Sequence, residues 1–270
     1  MSRYRRGMAA TPPTPFTWDP ARYLGHADHR ARPFHDLLAR IAADDPRLVV
    51  DLGCGAGNLT ALLSRRWPGA RVLGLDSSAE MVDAAREALG DAVELEVGDV
   101  RDWPARDERP DVLVTNAVLH WLPDHLDRLP DLVATVAPGG WFAMQVPGNF
   151  GAPSHTLVAA LAGRAPYAEH TRDVARMVSR DPADYLRVLH ALGWEVDAWE
   201  TTYAHVLTGP DAVFDWISGT GLRPTVQALP DDLRAEFEGE LKQQLRAAYP
   251  ERDGVVVMPF RRVFVVARRR

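Results

Sequence analysis

The feature that most constrains the fold is an apolar run that leads into three closely spaced glycines and then a helical pattern, VVDLGCGAGNLT (49–60). Gly53, Gly55 and Gly57 let the backbone turn tightly and approach a ligand closely, while the following helix offers free N–H groups at its N-terminus. A dinucleotide-binding loop would read G-x-G-x-x-G, but its last position is occupied here by Asn58. The spacing is instead G-x-G-x-G, at the carboxyl end of a predicted strand.

Short β-branched runs alternate with helical patterns through the first half of the chain. Two helices are predicted, 56–66 and 77–89, the second with Ser77 or Ser78 and Glu80 well placed to cap its N-terminus. This alternation is typical of a parallel sheet with helices on both faces. The predicted strands are 47–53, 70–76, 92–99, 111–116 and 140–147.

The pattern changes after about residue 148, where His, Arg, Ala and Pro replace the regular alternation. A long helix at 231–249 carries one narrow apolar stripe, which predicts that it docks on the body of the protein. No helix follows the last strand, so we expect it to lie antiparallel beside its predecessor. The other predicted elements are a helix at 181–193, a strand at 194–207, a helix around 210–218 and a strand at 254–269.

The prediction is therefore an α/β fold, a doubly wound, mostly parallel seven-stranded sheet with an antiparallel last strand. Residues 17–270 would form one domain behind a flexible, proline-rich leader at 1–16. A helical cap is expected from about 148–180 and 208–250. At 270 residues and 46% hydrophobic content, the chain has ample material for one large domain.

Composition excludes several classes of function. The net charge is −6, and no basic run is interleaved with aromatic residues, which argues against nucleic-acid binding. Cys54 is the only cysteine, so an intramolecular disulfide is excluded and a cysteine-based metal site is disfavoured. The N-terminus lacks the apolar run of a secretory signal, and no stretch approaches the ~18 apolar residues of a membrane span. We expect a cytoplasmic monomer that binds a small molecule, without a metal.

With Asp51 before it, the glycine loop resembles motif I of the class I S-adenosylmethionine-dependent methyltransferases, which have a Rossmann-like fold. The resemblance implies that Asp76 accepts both ribose hydroxyls, that Asp99 reads the adenine amino group, and that NAVLHW (116–121) lines the cofactor cleft. Asp76 and Asp99 could instead be plain helix caps. The implied cofactor-binding residues are Tyr23, Arg32, Asp51, Gly53, Cys54, Gly55, Asn58, Asp76, Ser77, Met81, Asp99, Val100, Asn116, Leu119 and Trp121.

Further blocks resemble the trans-aconitate 2-methyltransferases within that superfamily, over residues 17 to 270. One position departs from the family, which usually has proline before the arginine of the last block. Arg261 occupies that place, so Arg262 is the matching residue and the role of Arg261 is ambiguous. The blocks are TWDPARYL (17–24), RPFHDLL (32–38), HWLPDH (120–125), WETTYAH (199–205), DWISGTGLRP (215–224) and PFRRVFVVARR (259–269).

The implied reaction is methyl esterification of an unsaturated tricarboxylic acid. A carboxylic acid with a pKa near ~4 is already ionised at neutral pH, so neither a general base nor a metal is required. Arginine's planar fork binds carboxylates bidentately, but on the reacting oxygen it would withdraw charge. We therefore expect Arg223 and Arg262 to hold the carboxylates that are not methylated. Trp18 is a further candidate substrate-binding residue, although Trp18 and Trp121 could each line the cleft or simply pack, and the cleft is favoured for Trp121.

The reacting carboxylate would meet weaker hydrogen-bond donors, and each candidate could instead be a structural residue. The candidate weaker donors are His120, His155, Tyr203 and His205. Arg32 is expected to meet the methionine carboxylate of the cofactor, with a surface salt bridge as the alternative.

The segment GTGLRPT (219–225) is predicted to fix the direction of Arg223. Its glycines are expected to end a cap helix, and Pro224 is expected to keep Arg223 out of the helical region.

Two other readings remain open from the residues. The acceptor could be a different acid, such as a fatty acid or a carrier-bound acyl acid, although the cap offers several arginines and no long apolar run for a tunnel. Alternatively, the protein could bind S-adenosylmethionine without catalysis. Binding of the cofactor but of no tricarboxylate would indicate this last case.

Overall fold

The computed structural model describes residues 27–270, with side chains from Ala31 onward. The predicted leader at 1–16 lies outside the described residues, as do Trp18 and Tyr23. None of the helices between Ala27 and Arg270 is long and apolar enough to cross a membrane.

One sheet of seven strands organises this part of the chain, in the order β3-β2-β1-β4-β5-β7-β6. All neighbouring strands are parallel except β7, which lies antiparallel between β5 and β6. The predicted fold class and the antiparallel last strand are confirmed. The strands are β1 Leu48–Leu52, β2 Arg71–Asp76, β3 Glu94–Val97, β4 Val112–Asn116, β5 Trp141–Pro147, β6 Glu195–Leu207 and β7 Val256–Arg268.

Helices follow most strands, and the predicted cap of the second helix of the alternating half is confirmed. The Ser78 side chain accepts from the Met81 N–H and donates to Glu80. The α-helices are α1 Ala27–Ala39, α2 Thr60–Arg66, α3 Ala79–Leu89, α4 His125–Ala134, α5 Pro153–Ala162, α6 Ala168–Thr171, α7 Pro182–Ala191, α8 Ala212–Ser218, α9 Arg223–Ala228 and α10 Asp231–Ala248. Short 3₁₀ turns occur at Gly90–Ala92, Val100–Ala105 and Leu119–Trp121.

Both faces of the sheet are buried, which explains why the parallel strands read as nearly continuous apolar runs. On one face, Trp103 and Phe142 pack with Tyr185 of α7. On the other, Phe34 of α1 packs with Val114 and other apolar residues. Because both faces are filled, the site must lie at one end of the strands, where the loops leave the sheet.

β6 and β7 extend past the carboxyl end of β5, where Pro147 pairs with Arg262. Beyond that point, Thr202–Leu207 and Val256–Arg261 pair only with each other, forming a two-stranded ribbon. The helices between Pro153 and Ala248, α7 excepted, pack on this ribbon around a separate apolar cluster, and we call them the cap. The predicted docking of the long helix, now α10, is confirmed because its apolar stripe is buried in this cluster.

The GTGLRPT segment differs from its prediction in one respect. Gly219 does end helix α8, but Arg223 and Pro224 begin helix α9. The prediction that Pro224 keeps Arg223 out of the helical region is wrong. Proline is tolerated in the first turn of a helix because its missing N–H would have no partner there. The helix start fixes Arg223 instead, through its N–H bond to the Thr220 carbonyl.

Candidate active site

The glycine loop leaves β1 and folds back on β2. Gly53 donates its N–H to the Leu75 carbonyl at 2.7 Å and has φ +84°, and a Cβ there would lie 2.0 Å from Val118 Cγ2. Only glycine therefore fits at this position. Gly55 differs, because its added Cβ would meet no atom within 4 Å. The backbone at Gly55 borders an opening that a ligand could enter.

Asp76, at the end of β2, joins this loop to helix α3. One carboxylate oxygen accepts from the Gly55 N–H at 2.9 Å, and the other accepts from the Ser78 N–H at 2.9 Å. Burial raises its pKa. Each oxygen retains lone-pair capacity for a ligand hydroxyl. The carboxylate thus shapes the loop and also borders the opening next to Gly55.

Asp51 lies deeper, under the loop, and is only 3% exposed. Thr60 Oγ1 donates to its carboxylate at 2.7 Å. Burial, and then the nearby charge of Asp76, raise the pKa of Asp51 to about 6. Cys54 is also buried, which raises the pKa of its thiol and leaves it unreactive at neutral pH. These two residues support the loop from behind.

The remaining predicted residues near this loop have different exposures. Asn58 and Ser77 are exposed, whereas Met81 is on the buried face of α3. Asp99 caps the turn that begins at Val100, since it accepts from the Arg101 backbone N–H at 2.8 Å and pairs with its guanidinium. This ion pair lowers the pKa of Asp99. Asp99 therefore caps a helical turn, as the alternative interpretation held, and its contact with adenine stays a prediction.

The segment after β4 forms the next wall. Asn116 ends β4 and lies opposite Gln145 of β5 in the sheet register. Asn116 Oδ1 and Gln145 Nε2 are buried, and neither has a hydrogen-bond partner among residues 27–270. Leu119 is buried in the following turn, and the Trp121 ring contacts His120 at a centroid distance of 5.0 Å.

These observations fit S-adenosylmethionine as the occupant of this end of the sheet. The ribose has hydroxyls to donate to Asp76, and the methionine moiety has an ammonium that could donate to the unsatisfied oxygen of Asn116. The opening at Gly55 leaves room for close approach of a ligand to the backbone.

Two histidines face each other across Phe150. The ring centroids of His120 and Phe150 are 5.9 Å apart, and those of Phe150 and His155 are 5.3 Å apart. Burial lowers the pKa of His155 to about 4. Burial, and then the charge of Arg262, hold the pKa of His120 well below its ordinary value. Both rings are therefore neutral at neutral pH.

The segment that carries Arg223 reaches this pair of histidines. A Cβ on Gly221 would lie 3.4 Å from His155 Nε2 and 3.1 Å from Met177 Cε. His155 Nδ1 contacts Ser154 Oγ at 3.0 Å, which leaves Nε2 directed at the cap segment. Arg223 Nη1 is buried and has no hydrogen-bond partner among the described residues.

Arg262 and Arg261 are neighbours in β7 that point to opposite faces of the sheet. Arg262 is 7% exposed, its Nη1 lies 3.4 Å from Gln145 Oε1, and it stands over the Phe260 ring. Arg261 pairs instead with Glu200 and Asp181. The ambiguity of Arg261 is resolved in favour of a structural ion-pair role.

Two predicted weak donors lie on β6. Tyr203 donates its hydroxyl to Asp36 Oδ2 at 2.5 Å, and Arg32 of α1 stands over its ring. This bond conflicts with the prediction that Tyr203 donates to the acceptor, because its single O–H is already used. His205 packs against Trp216 of the cap, at a centroid distance of 4.4 Å. The structure thus brings His120, His155 and Arg262 together, because both rings contact Phe150 and the charge of Arg262 acts on His120.

Two polar features of this region were missed from the sequence. The buried ring of His125 contacts the Tyr185 hydroxyl at 2.8 Å, and that hydroxyl accepts from the Arg180 N–H. Because the Val178 N–H bonds to the His120 carbonyl, the loop before α7 is fixed beside His120. The second histidine of HWLPDH was the available signal for this network. Gln145 was also missed, although a glutamine inside an apolar strand could have revealed it.

Known proteins resemble this chain in sequence and in fold. Residues 49–140 match the family model of a methyltransferase domain. A trans-aconitate 2-methyltransferase of Mycolicibacterium gilvum is 53% identical over 255 residues, covering 93% of this chain and 98% of the relative. A protein of the same name from Mycobacterium tuberculosis is 50% identical over 254 residues, covering 93% and 96%.

Solved structures share the fold at low sequence identity. The YcgJ protein of Bacillus subtilis superimposes with a TM-score of 0.60 at 15% identity, covering 88% of this chain and 98% of its own. The [4+2]-cyclase SpnF superimposes with a TM-score of 0.52 at 14% identity, covering 88% and 80%. Since one of these is a cyclase, the fold alone does not define the reaction. The sequence relatives do define the family, and the chain belongs to the trans-aconitate 2-methyltransferases.

Proposed function

We propose that this protein transfers the methyl group of S-adenosylmethionine to a carboxylate oxygen of trans-aconitate and forms its monomethyl ester. The names of the relatives support the substrate and the reaction. The observation that carries the proposal is Arg223, whose Nη1 is buried without a partner among the described residues. It lies two residues after Gly221, which packs against the neutral ring of His155. A buried, unpaired cationic donor is costly unless an anion satisfies it.

S-adenosylmethionine, when bound, supplies an electrophilic methyl group on a positively charged sulfur. Asp76 would hold it by accepting from the ribose hydroxyls, and Asn116 Oδ1 by accepting from the ammonium. Asp99 would accept from the adenine amino group while it remains paired with Arg101. Asp51 contributes indirectly, because its bond to Thr60 anchors the start of α2 against β1.

On the acceptor side, Arg223 and Arg262 would bind the carboxylates that do not react. Both are arginines, so each can present two parallel N–H donors to one carboxylate. His120 and His155 are neutral because of their burial. A neutral ring can donate one hydrogen bond to the reacting carboxylate without fixing its negative charge as a guanidinium would.

No residue has to remove a proton, because the acceptor is already ionised at neutral pH. The task of the chain is to hold the acceptor oxygen in line with the methyl group and to exclude water. Oppositely charged reactants neutralise each other as the bond forms, so a water-poor site favours the reaction. Phe150 between the two histidines and Met177 beside Gly221 supply apolar surface for this purpose.

Substitution of Arg223 tests the proposal. Losing a charge-assisted hydrogen bond costs about 1.5–3 kcal/mol, so Arg223→Ala should lower kcat/KM for trans-aconitate by about 10- to 100-fold or more. Affinity for S-adenosylmethionine should change little, as measured by calorimetry. Arg164→Ala is a matched control, because Arg164 is a cap arginine whose exposed side chain pairs with Glu240.

Three outcomes would contradict the proposal. If Arg223→Ala loses cofactor affinity or fails to fold, Arg223 does not belong to an acceptor site. If the wild-type protein methylates medium-chain fatty acids better than trans-aconitate, cis-aconitate or isocitrate, the acceptor is wrong. If it binds S-adenosylmethionine but no carboxylic acid, the protein is not an enzyme.

A further inference from the structure

Gln145 is the one amide side chain within the apolar strand β5, WFAMQVP, and it is only 1% exposed. Its Nε2 is buried and has no hydrogen-bond partner among the described residues. Buried amide groups are almost always hydrogen-bonded, because an unsatisfied donor has lost its water and gained nothing in exchange. A buried amide left open at the carboxyl end of a parallel strand therefore indicates a ligand.

The direction of this amide is fixed by Arg262. Arg262 Nη1 lies 3.4 Å from Gln145 Oε1. A guanidinium has donors and no acceptor, so the amide must turn its oxygen towards Arg262 and its NH₂ group away. Gln145 and Arg262 lie diagonally across neighbouring strands, because Gln145 of β5 pairs with Phe264 of β7 and Arg262 is two residues before Phe264 on the same face. The Nε2 group is thus held as an oriented donor.

The neighbouring Asn116 does not satisfy this donor. Asn116 lies directly opposite Gln145 in the register, and its Oδ1 is buried without a partner among the residues described. An unsatisfied acceptor and an unsatisfied donor therefore stand side by side without bonding to each other. Asn116 requires a ligand that donates, whereas Gln145 requires a ligand that accepts. A cofactor ammonium suits the first, and a carboxylate suits the second.

We propose that Gln145 binds the carboxylate that accepts the methyl group, donating a neutral hydrogen bond from Nε2 to that carboxylate. The inference rests on the proposed function, whose site it completes. Arg262 then has two tasks: it binds a carboxylate that does not react, and it orients the amide that meets the one that does. An amide donor positions the reacting carboxylate while leaving its charge available for bond formation.

Gln145→Glu separates this role from a purely structural one. Glutamate keeps the size of the side chain and can bind Arg262 at least as well, but its second oxygen replaces the donor and repels a carboxylate. Binding of trans-aconitate to the S-adenosylhomocysteine complex, measured by calorimetry, should weaken at least 100-fold, and kcat/KM should fall in parallel. Affinity for S-adenosylhomocysteine should stay within about threefold of wild type.

Gln145→Met gives the intermediate case, with the size kept and the polar atoms lost, and should lower kcat/KM about 10- to 100-fold. Gln243→Glu is the matched control for added charge, since Gln243 is exposed on α10. If Gln145→Glu binds and methylates the acceptor like wild type, Gln145 only orients Arg262 and the proposal is overturned.

The acid used for these variants is chosen from the wild-type protein. If wild type methylates another carboxylic acid in place of trans-aconitate, the proposed substrate is wrong, and the same variants are measured with that acid. If it methylates none, both the proposed function and the role of Gln145 are overturned. Failure of Gln145→Glu to differ from wild type, with an acid that wild type does methylate, overturns the role of Gln145 alone.

Discussion

The proposed site has a donor side, which faces the methyl donor and is formed by the glycine loop, Asp51, Asp76 and Asn116, and an acceptor side, which faces the methyl acceptor and includes His120, Gln145 and Arg223. The two sides differ in how many of their polar groups have hydrogen-bond partners. On the donor side, the carboxylates of buried Asp51 and half-buried Asp76 already accept hydrogen bonds from Thr60, Gly55 and Ser78, and the exception is Asn116 Oδ1, which is buried without a partner among the described residues. On the acceptor side, the buried atoms His120 Nδ1, Gln145 Nε2 and Arg223 Nη1 have no hydrogen-bond partner among residues 27–270.

This difference separates two ways of building a binding site. The donor side is held by its own hydrogen bonds, so it should keep its shape before a ligand arrives. The acceptor side carries buried N–H groups that lack a hydrogen-bond partner among the described residues, and such groups favour the binding of an anion. Substitutions of the loop glycines on the donor side should therefore damage the fold and the site together, whereas those on the acceptor side should damage substrate binding with a smaller effect on stability.

The largest expected effect comes from Gly53 on the donor side. A Cβ there would lie 2.0 Å from Val118 Cγ2, in a backbone with φ +84°. Overpacking and the left-handed conformation together should lower the free energy of unfolding of Gly53→Ala by about 3–5 kcal/mol. Denaturant unfolding would measure this loss, and cofactor affinity should fall with it.

Gly55→Ala is the control that separates the effect of an added methyl group on ligand binding from its effect on packing. Its backbone is also left-handed, with φ +55°, but its added Cβ meets nothing within 4 Å. The stability cost should be only about 1–2 kcal/mol, from conformation alone, while the methyl group would project into the opening and weaken S-adenosylmethionine binding. If the two variants lose stability equally, the donor side is not held by packing at Gly53.

The same contrast explains which parts were predictable from the sequence. The glycine loop, Asp76 and the Ser78 cap lie within about one βαβ unit, where short-range spacing and capping chemistry determine the contacts. The parallel arrangement of the first five strands followed from their alternation with helices. Fold and donor side could therefore be predicted before the structure was known.

The acceptor side could not be predicted in the same way, because distant segments meet there. No local pattern indicates that Gly221 contacts His155, that Gln145 faces Arg262, or that Tyr203 is bonded to Asp36. The wrong expectation for Pro224 has a local cause, since proline before a turn and proline in the first turn of a helix look alike in a sequence.

A smaller effect on the free energy of unfolding, and one that depends on pH, is expected from Asp51→Asn. Its pKa is about 6 in the folded protein, above the ordinary value of 3.8. Between those values the folded state holds a proton that the unfolded state has lost, so stability falls as pH rises from about 4 to 7. The full contribution is about 3 kcal/mol. Asp51→Asn should remove this dependence and stabilise the protein at pH 7.5.

Denaturant unfolding at pH 4.5 and pH 7.5 would measure the effect, with the variant gaining more at the higher pH. Asp131→Asn, on the exposed face of α4, controls for the loss of one negative charge. An Asp51→Asn protein that is less stable than wild type at pH 7.5 would show that the bond from Thr60 outweighs the cost of burying the charge. The donor side would then be stabilised by that carboxylate rather than strained by it.

The smallest effect on stability, and the one most specific to the acceptor side, is expected from Tyr185→Phe. The lost hydroxyl leaves the His125 ring and the Arg180 N–H without their partner, at a cost of about 1–2 kcal/mol. The loop that Arg180 anchors also carries Met177, which lies against Gly221 beside His155. Loosening this loop should raise KM for the acceptor several-fold while cofactor affinity stays unchanged.

Tyr203→Phe provides the comparison for that last variant, because it also removes a buried hydroxyl, whose one hydrogen bond goes to Asp36 of α1 on the other face of the sheet. It should lose somewhat less stability than Tyr185→Phe, which loses two hydrogen bonds, and only Tyr185→Phe should raise KM for the acceptor by loosening the loop beside His120. Steady-state kinetics with both substrates varied would separate the cases. If both variants change KM for the acceptor equally, the loop before α7 has no particular part in acceptor binding. If Tyr185→Phe instead weakens cofactor binding, the two sides of the site are coupled through His120 and are not built independently.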